Sequence, residues 1–302
     1  MRAGWVESVP NVSEGRRPEV VARIAGAASA AGARVLDVSS DADHNRSVIT
    51  LAGPAGVVGD AAVGMARAAV ELIDLRRHRG VHPRMGAIDV IPFIPLDGAG
   101  LDGCVALARE TGRRIGDGLG LPVYLYGAAA REGRPAALVE IRDGGFEALA
   151  QLGAELPPPD FGPPGLHASG GGVAVGARPF LVAFNLMLEG ATVEAARRIA
   201  RRVRASTPGG LPGVLALGFW LEGAGRAQVS LNLVDLERTT VAAALRRVRE
   251  EAAAEGVGVA SVELVGLAPR AALAGLEAET VAGVPGDGQT IEARLDRLGA
   301  EA

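Results

Sequence analysis

The order of elements along the chain predicts an α/β (α+β) protein built from two successive βαββαβ units. Three observations carry this. Apolar, β-branched runs alternate with amphipathic helical segments in the same order in each half. A stretch dense in glycine and proline, 156–178, separates the halves. The length of 302 residues also suits two domains of roughly 100–200 residues each. With aromatics at 3% and hydrophobic residues at 48%, the core is expected to consist of Val, Leu, Ile and Ala.

Residues 5–10 read as a short strand, and 18–31 as a helix closed by Gly32, which supplies a left-handed C′ residue. The β-branched runs 35–38 and 47–52 read as strands. The apolar spacing of 57–77 predicts a long helix whose basic end, Arg76, Arg77 and His78, suits the C-terminal dipole, with Gly80 as its stop. Residues 88–96 are almost continuously apolar, the pattern of a strand covered on both faces. A helix over 102–119 and a strand over 123–127 follow. In the second half, 180–188 is a strand and 193–206 an amphipathic helix with Thr192 as N-cap. Strands 213–221 and 227–236 form a hairpin across 222–226. Residues 240–255 are a helix closed by Gly256, and 259–267 the last strand. Each half spells the split βαβ, or ferredoxin-like, unit.

Composition excludes several chemistries. All 31 basic residues are arginine, so no lysine is present for a P-loop, a Schiff base or a general base. The single cysteine, Cys104, excludes an internal disulfide and a cysteine-built zinc site, and makes a reducing, cytoplasmic home the default. A net charge of −4 argues against a nucleic-acid partner. The N-terminus lacks the apolar core of a secretory signal, and no uncharged stretch reads as a membrane span. G-x-S-x-G, Walker A and G-x-G-x-x-G segments are absent from the sequence.

The densest polar cluster is His78-Arg79-Gly80-Val81-His82-Pro83-Arg84-Met85-Gly86. Two histidines four apart suit a metal on a helix face, but Gly80 and Pro83 break the helix and no carboxylate lies between them, so no metal site is expected. His78 reads as a helix-ending cation. His82 precedes a proline and belongs to a loop, where it is either a general acid/base or a surface histidine. Asp43-His44-Asn45-Arg46 offers a guanidinium fork at a strand mouth, or a plain hairpin turn. The arginines of 197–204 form a solvated helix face or a seat for a polyanionic tail. Cys104 is expected to be inert.

Three strings resemble the glutamate formimidoyltransferase, or formiminotransferase, family: Val9-Pro10-Asn11-Val12-Ser13-Glu14-Gly15, His44-Asn45-Arg46-Ser47-Val48, and His82-Pro83-Arg84-Met85-Gly86-Ala87-Ile88-Asp89-Val90. The stretches 121–127, 161–163 and 175–185 extend the likeness collinearly. The resemblance implies a tandem duplication of two ferredoxin-like subdomains, 1–177 and 178–302, with folate in a cleft between them. It implies transfer of the formimino group of N-formimino-L-glutamate to N-5 of tetrahydrofolate, with tetrahydrofolate as co-substrate and no metal. It further implies a cytoplasmic homodimer that stands alone, without the cyclodeaminase domain of the animal enzymes. The family's catalytic histidine falls on His82. Its folate loop falls on Gly162, Pro163, Pro164, Gly165, Leu166, His167, Ala168, Ser169, Gly170 and Gly171, the glycines being expected to free backbone groups for the ligand. Both substrates are carboxylates, so Asn45, Arg46, Arg84 and Arg178 are the candidates to hold them. Ser8 and Val81 depart from the Cys and Glu usual in the family. Two rival readings stand beside this one: a 5-formyltetrahydrofolate–glutamate formyltransferase, and a folate-binding protein without turnover.

Overall fold

The computed structural model describes residues 4–96, 99–276, 279 and 281–300. The chain is mixed α/β with two sheets and divides into two units, Met1–Pro179 and Phe180–Ala302. The first holds β1 (Trp5–Ser8), β2 (Asn11–Val12), α1 (Pro18–Ala30), β3 (Arg34–Asp41), β4 (Arg46–Pro54), α2 (Ala55–Leu72), β5 (Ile88–Pro95), α3 (Leu101–Leu119), β6 (Val123–Gly127), α4 (Leu138–Ile141), α5 (Gly145–Leu152) and β7 (Val173–Ala177). The second holds β8 (Val182–Glu189), α6 (Val193–Val203), β9 (Val214–Leu221), β10 (Arg226–Leu233), α7 (Val241–Ala254), β11 (Gly258–Val265) and α8 (Ile291–Ala300).

In the first unit β1 and β2 are two pieces of one path, both lying between β4 and β5. The break falls at Val9-Pro10, and β5 passes it with Ile91-Pro92. Pro92 therefore sits in an inner strand where the ladder is already interrupted, and its missing N–H costs no hydrogen bond. Beyond β5 the sheet continues in parallel through β7 to β6. In the second unit the strands lie antiparallel in the order β11-β8-β10-β9. The same order, β5–(β1/β2)–β4–β3, runs through the antiparallel part of the first.

The cores follow the composition. Ile24, Ile49, Leu51, Met65, Ile91 and Phe93 are fully buried in the first unit, and Phe184, Leu186, Val229 and Leu245 in the second. Thr192 and Thr240 cap α6 and α7 by accepting from the N–H groups of Ala195 and Ala243, each at 3.2 Å. Arg198 and Arg202 on α6 pair with Glu251 and Glu255 at the end of α7 (2.5–2.7 Å), so these two arginines tie helix to helix.

One sequence expectation is corrected here. The long helix ends at Leu72 rather than running to Arg77. Ile73 is extended (φ −118°, ψ 125°), the Asp74 carboxylate accepts from Arg76 N–H (3.1 Å), and the buried Leu75 donates its N–H to Ser169 O (2.8 Å). Leu75 fills the core only from this loop geometry, and that overrides a helical pattern. Within the glycine-rich stretch 156–178, Val173–Ala177 forms β7 between β5 and β6. Gly176 permits this where a Cβ would stand 2.4 Å from Tyr126 O.

Candidate active site

The string from His82 to Asp89 enters β5 through a loop held by one carboxylate. Asp89, with no exposed surface, accepts from Met85 N–H on Oδ1 (2.7 Å). Its Oδ2 accepts from Arg46 Nη1 (2.8 Å) on β4 and from Arg142 Nη1 (2.7 Å) just after α4. Burial alone would raise the Asp89 pKa, but the two guanidiniums and the Met85 N–H overcome it and bring it to about 2. Arg46 is fixed a second time, through Nε to Asn11 Oδ1 (3.1 Å).

Asn45 places Arg46. It is the non-glycine residue with positive φ (48°) among the described residues, a conformation that asparagine tolerates. Its side chain is spent on the backbone, accepting from Gly15 N–H (3.0 Å) and donating to Arg79 O (3.0 Å). Gly80 lets this contact close, since a Cβ there would meet His44 O at 2.2 Å. Asn45 is therefore a clamp between two loops.

His78 is buried, and both ring nitrogens are engaged. Arg84 Nε donates to Nδ1 (2.9 Å), which leaves Nε2 protonated and donating to Asn45 O (2.8 Å). Burial, with the Arg84 charge, lowers its pKa against the pull of the Asn45 carbonyl. His78 is thus a neutral structural link, which corrects its reading as a helix-ending cation. Arg84 is also corrected. Its fork is taken by Glu147 of α5, Nη1 to Oε2 at 2.6 Å and Nη2 to Oε1 at 2.7 Å. Hydrogen bonding to Arg84 in turn holds Glu147 at a pKa of about 2. A guanidinium with Nε on His78 and both Nη on a carboxylate has no edge left for a substrate.

His82 is half-buried, its ring centroid 5.7 Å from that of His44. Nδ1 lies 2.7 Å from Pro83 O, and a carbonyl can only accept, so Nδ1 carries the proton and Nε2 the lone pair. Desolvation among its neighbours, then the Arg46 and Arg142 charges, hold its pKa well below the ordinary histidine value. The ring is neutral at pH 7, with its lone pair on Nε2.

The loop 162–171 packs directly on this string. Gly86 and Gly171 are bridged, Ala87 N–H donates to Gly170 O (2.9 Å), and Gly172 N–H donates to Met85 O (3.0 Å). The N–H groups of Gly170 and Gly171 are consumed by His167, at Nδ1 (2.9 Å) and at O (2.8 Å). The glycines at this end serve close packing: a Cβ on Gly171 (φ +70°) would lie 2.0 Å from Met85 O. The expectation that Gly170 and Gly171 offer backbone groups to a ligand is corrected accordingly. Gly162, Pro163 and Pro164 are exposed, and Gly165, Leu166 and His167 half-exposed. Arg178 donates to Pro179 O (2.9 Å), and its charge acts on the buried Tyr126 hydroxyl, whose pKa is raised by burial.

Sequence reasoning missed Asp89, Arg142 and Glu147 as parts of one constellation. Asp89 did carry a signal, a lone charge inside an apolar strand that must find buried partners. Arg142 and Glu147 carried none, lying between 127 and 156 where no element was assigned. Cys104 is buried and its thiol pushed up to about 11, so it stands apart from the chemistry. No helix among the described residues is long and apolar enough to cross a membrane.

Comparison with known proteins bears on this constellation. The N-terminal subdomain of the formiminotransferase domain matches residues 5–178, and the formiminotransferase domain matches residues 183–280. The chain is 44% identical over 272 residues to glutamate formimidoyltransferase of Thermoplasma acidophilum, covering 89% of each protein. It is 40% identical over 270 residues to glutamate formimidoyltransferase of Streptococcus pyogenes, covering 89% of this chain and 90% of the relative. Formimidoyltransferase-cyclodeaminase of Gallus gallus is 44% identical over 279 residues, and there the match spans 51% of the relative's length.

Proposed function

The chain belongs to the formiminotransferase family, and on that premise we propose that it moves the formimino group of N-formimino-L-glutamate to N-5 of tetrahydrofolate, releasing L-glutamate. The observation that carries the chemistry is the protonation state of His82, with Nδ1–H committed to Pro83 O and the lone pair on Nε2 beside two guanidiniums. N-5 attacks the amidine carbon and forms a tetrahedral adduct. His82 Nε2 takes the proton that N-5 must lose. The resulting imidazolium, made acidic by desolvation and by Arg46 and Arg142, returns it to the departing glutamate nitrogen. Such proton shuttling contributes typically ~10²–10⁴-fold. Arg46 remains the candidate for a substrate carboxylate from the sequence reading, with Arg178 at the end of β7. The open part of the folate loop, 162–167, is the part we assign to tetrahydrofolate, with His167 contributing Nε2. The shared strand order supports reading the two units as a ferredoxin-like duplication, the first extended by α3, β6 and β7.

The test is an assay of purified protein with tetrahydrofolate and N-formimino-L-glutamate, and separately with 5-formyltetrahydrofolate and L-glutamate. Transfer from the formimino donor is expected, with His82→Ala lowering turnover by about 10²–10⁴-fold and leaving folate affinity within a few-fold. The acid limb of kcat/KM should fall below the ordinary histidine pKa. Transfer from the formyl donor alone would replace the substrate. Transfer from neither would overturn the reading.

A further inference from the structure

Arg142 comes to the site from a stretch that no motif marks. Its side chain is 16% exposed, and one nitrogen, Nη1, is spent on Asp89 Oδ2. Its Nε and Nη2 meet no acceptor among the described residues. These two N–H groups form the side-on edge of the guanidinium, the fork that takes a carboxylate through two parallel hydrogen bonds. Arg46 is the tighter of the pair, 9% exposed and pinned at both Nε and Nη1. Two arginines on one carboxylate oxygen leave a net charge of +1 in a largely dry setting. The second ion pair, Arg84 with Glu147, fastens the same segment to the string that carries His82. Arg142 is thus held at Nη1 with its side edge open, a pre-organised donor site for an anion.

Resting on the transfer reaction above, we propose that Arg142 is a specificity-determining residue that binds a carboxylate of the glutamyl group on its Nε/Nη2 edge, with Asp89 as the positioning residue that holds its Nη1. Glutamyl carboxylates occur in both substrates, and chemistry favours the donor. The donor's α-carboxylate is attached to the carbon that bears the reacting nitrogen. The glutamate of tetrahydrofolate is separated from N-5 by an aminobenzoyl group. Arg142 shares Asp89 with Arg46 and with the Met85 N–H of the string that carries His82, which places it for the donor.

Arg142→Lys and Arg142→Gln test this. His82 is faced by Arg46 from β4, Asp89 from β5, Arg142 after α4 and the His44 ring from the turn between β3 and β4. Both variants should raise the donor KM roughly 10–100-fold, the range of a charge-assisted hydrogen-bonded pair. The KM for tetrahydrofolate should stay within about 2-fold, and kcat should fall far less than kcat/KM. The Gln variant should also move the acid limb of kcat/KM to higher pH, because one cation facing His82 is gone. The Lys variant keeps the charge and should leave that limb in place while losing the fork. A lowered melting temperature with both KM values unchanged would make Arg142 a structural tie and overturn the proposal. A rise confined to the folate KM would overturn it too. Calorimetric titration of L-glutamate into the wild type and the Gln variant reads the same contact without turnover. Wild-type protein that binds L-glutamate through Arg142 but transfers nothing would separate this assignment from the reaction it rests on.

Discussion

Replacing Asp89 by asparagine isolates what the central carboxylate does for the fold. The substitution keeps shape and removes both the charge and one acceptor. Asp89 receives three N–H donors, Met85 N on one oxygen and the Arg46 and Arg142 Nη1 atoms on the other. An asparagine NH2 must face one of these sets, donor against donor, in a site with no exposed surface. Breaking a buried ion pair from one side costs about 3–5 kcal/mol. The titration agrees in scale. Asp89 is drawn from 3.8 to about 2, and at 1.36 kcal/mol per unit this is on the order of 2–3 kcal/mol. A loss near 3 kcal/mol lowers the melting temperature of a unit this size by roughly 6–12 °C. Urea unfolding at pH 7 measures it, followed by Trp5 fluorescence in a Trp220→Phe background so that only the first unit reports. The pH dependence has a definite sign. A carboxylate whose folded pKa is depressed stabilises the protein above its unfolded pKa and ceases to do so as pH falls through the folded value. The gap between wild type and variant should therefore narrow as pH drops from about 4 toward 2. A gap under ~1 kcal/mol at pH 7, or one that does not narrow in acid, would refute the anchoring role.

Gly171→Ala should destabilise by roughly 2–5 kcal/mol, summing a left-handed backbone and a Cβ driven against Met85 O. Gly165→Ala shares the positive φ but meets nothing within 4 Å, so it should cost only about 1 kcal/mol in the same urea titration. Cys104, with its thiol at about 11 and no exposed surface, should resist a disulfide reagent at pH 8 in the folded protein. It should react at once in denaturant, and fast labelling of the native protein would contradict the burial.

Much of this molecule is legible from local pattern. Period and turn chemistry locate most strands and helices, the cap at Thr192, the hairpin between β9 and β10, and the loop that carries His82. These features depend on residues within a few positions of one another, where side-chain direction follows from backbone geometry. The absence of lysine and the isolated Cys104 narrow the chemistry to histidine, carboxylates and arginine before any fold is known. Which arginine is free is another matter. Arg46 and Asp89 are 43 residues apart, Arg142 and Asp89 53, Arg84 and Glu147 63. Sequence shows 31 identical guanidinium groups, and only the folded chain assigns each a partner or leaves it an open edge. It spends Arg84 on Glu147 and His78, Asn45 on two backbone loops, and brings Arg142 in from an unmarked segment. The end of α2 and the insertion of β7 were decided in the same way. There the gain from burying Leu75 and completing a parallel ladder outweighed the helical period and the glycine content that local reasoning weighs.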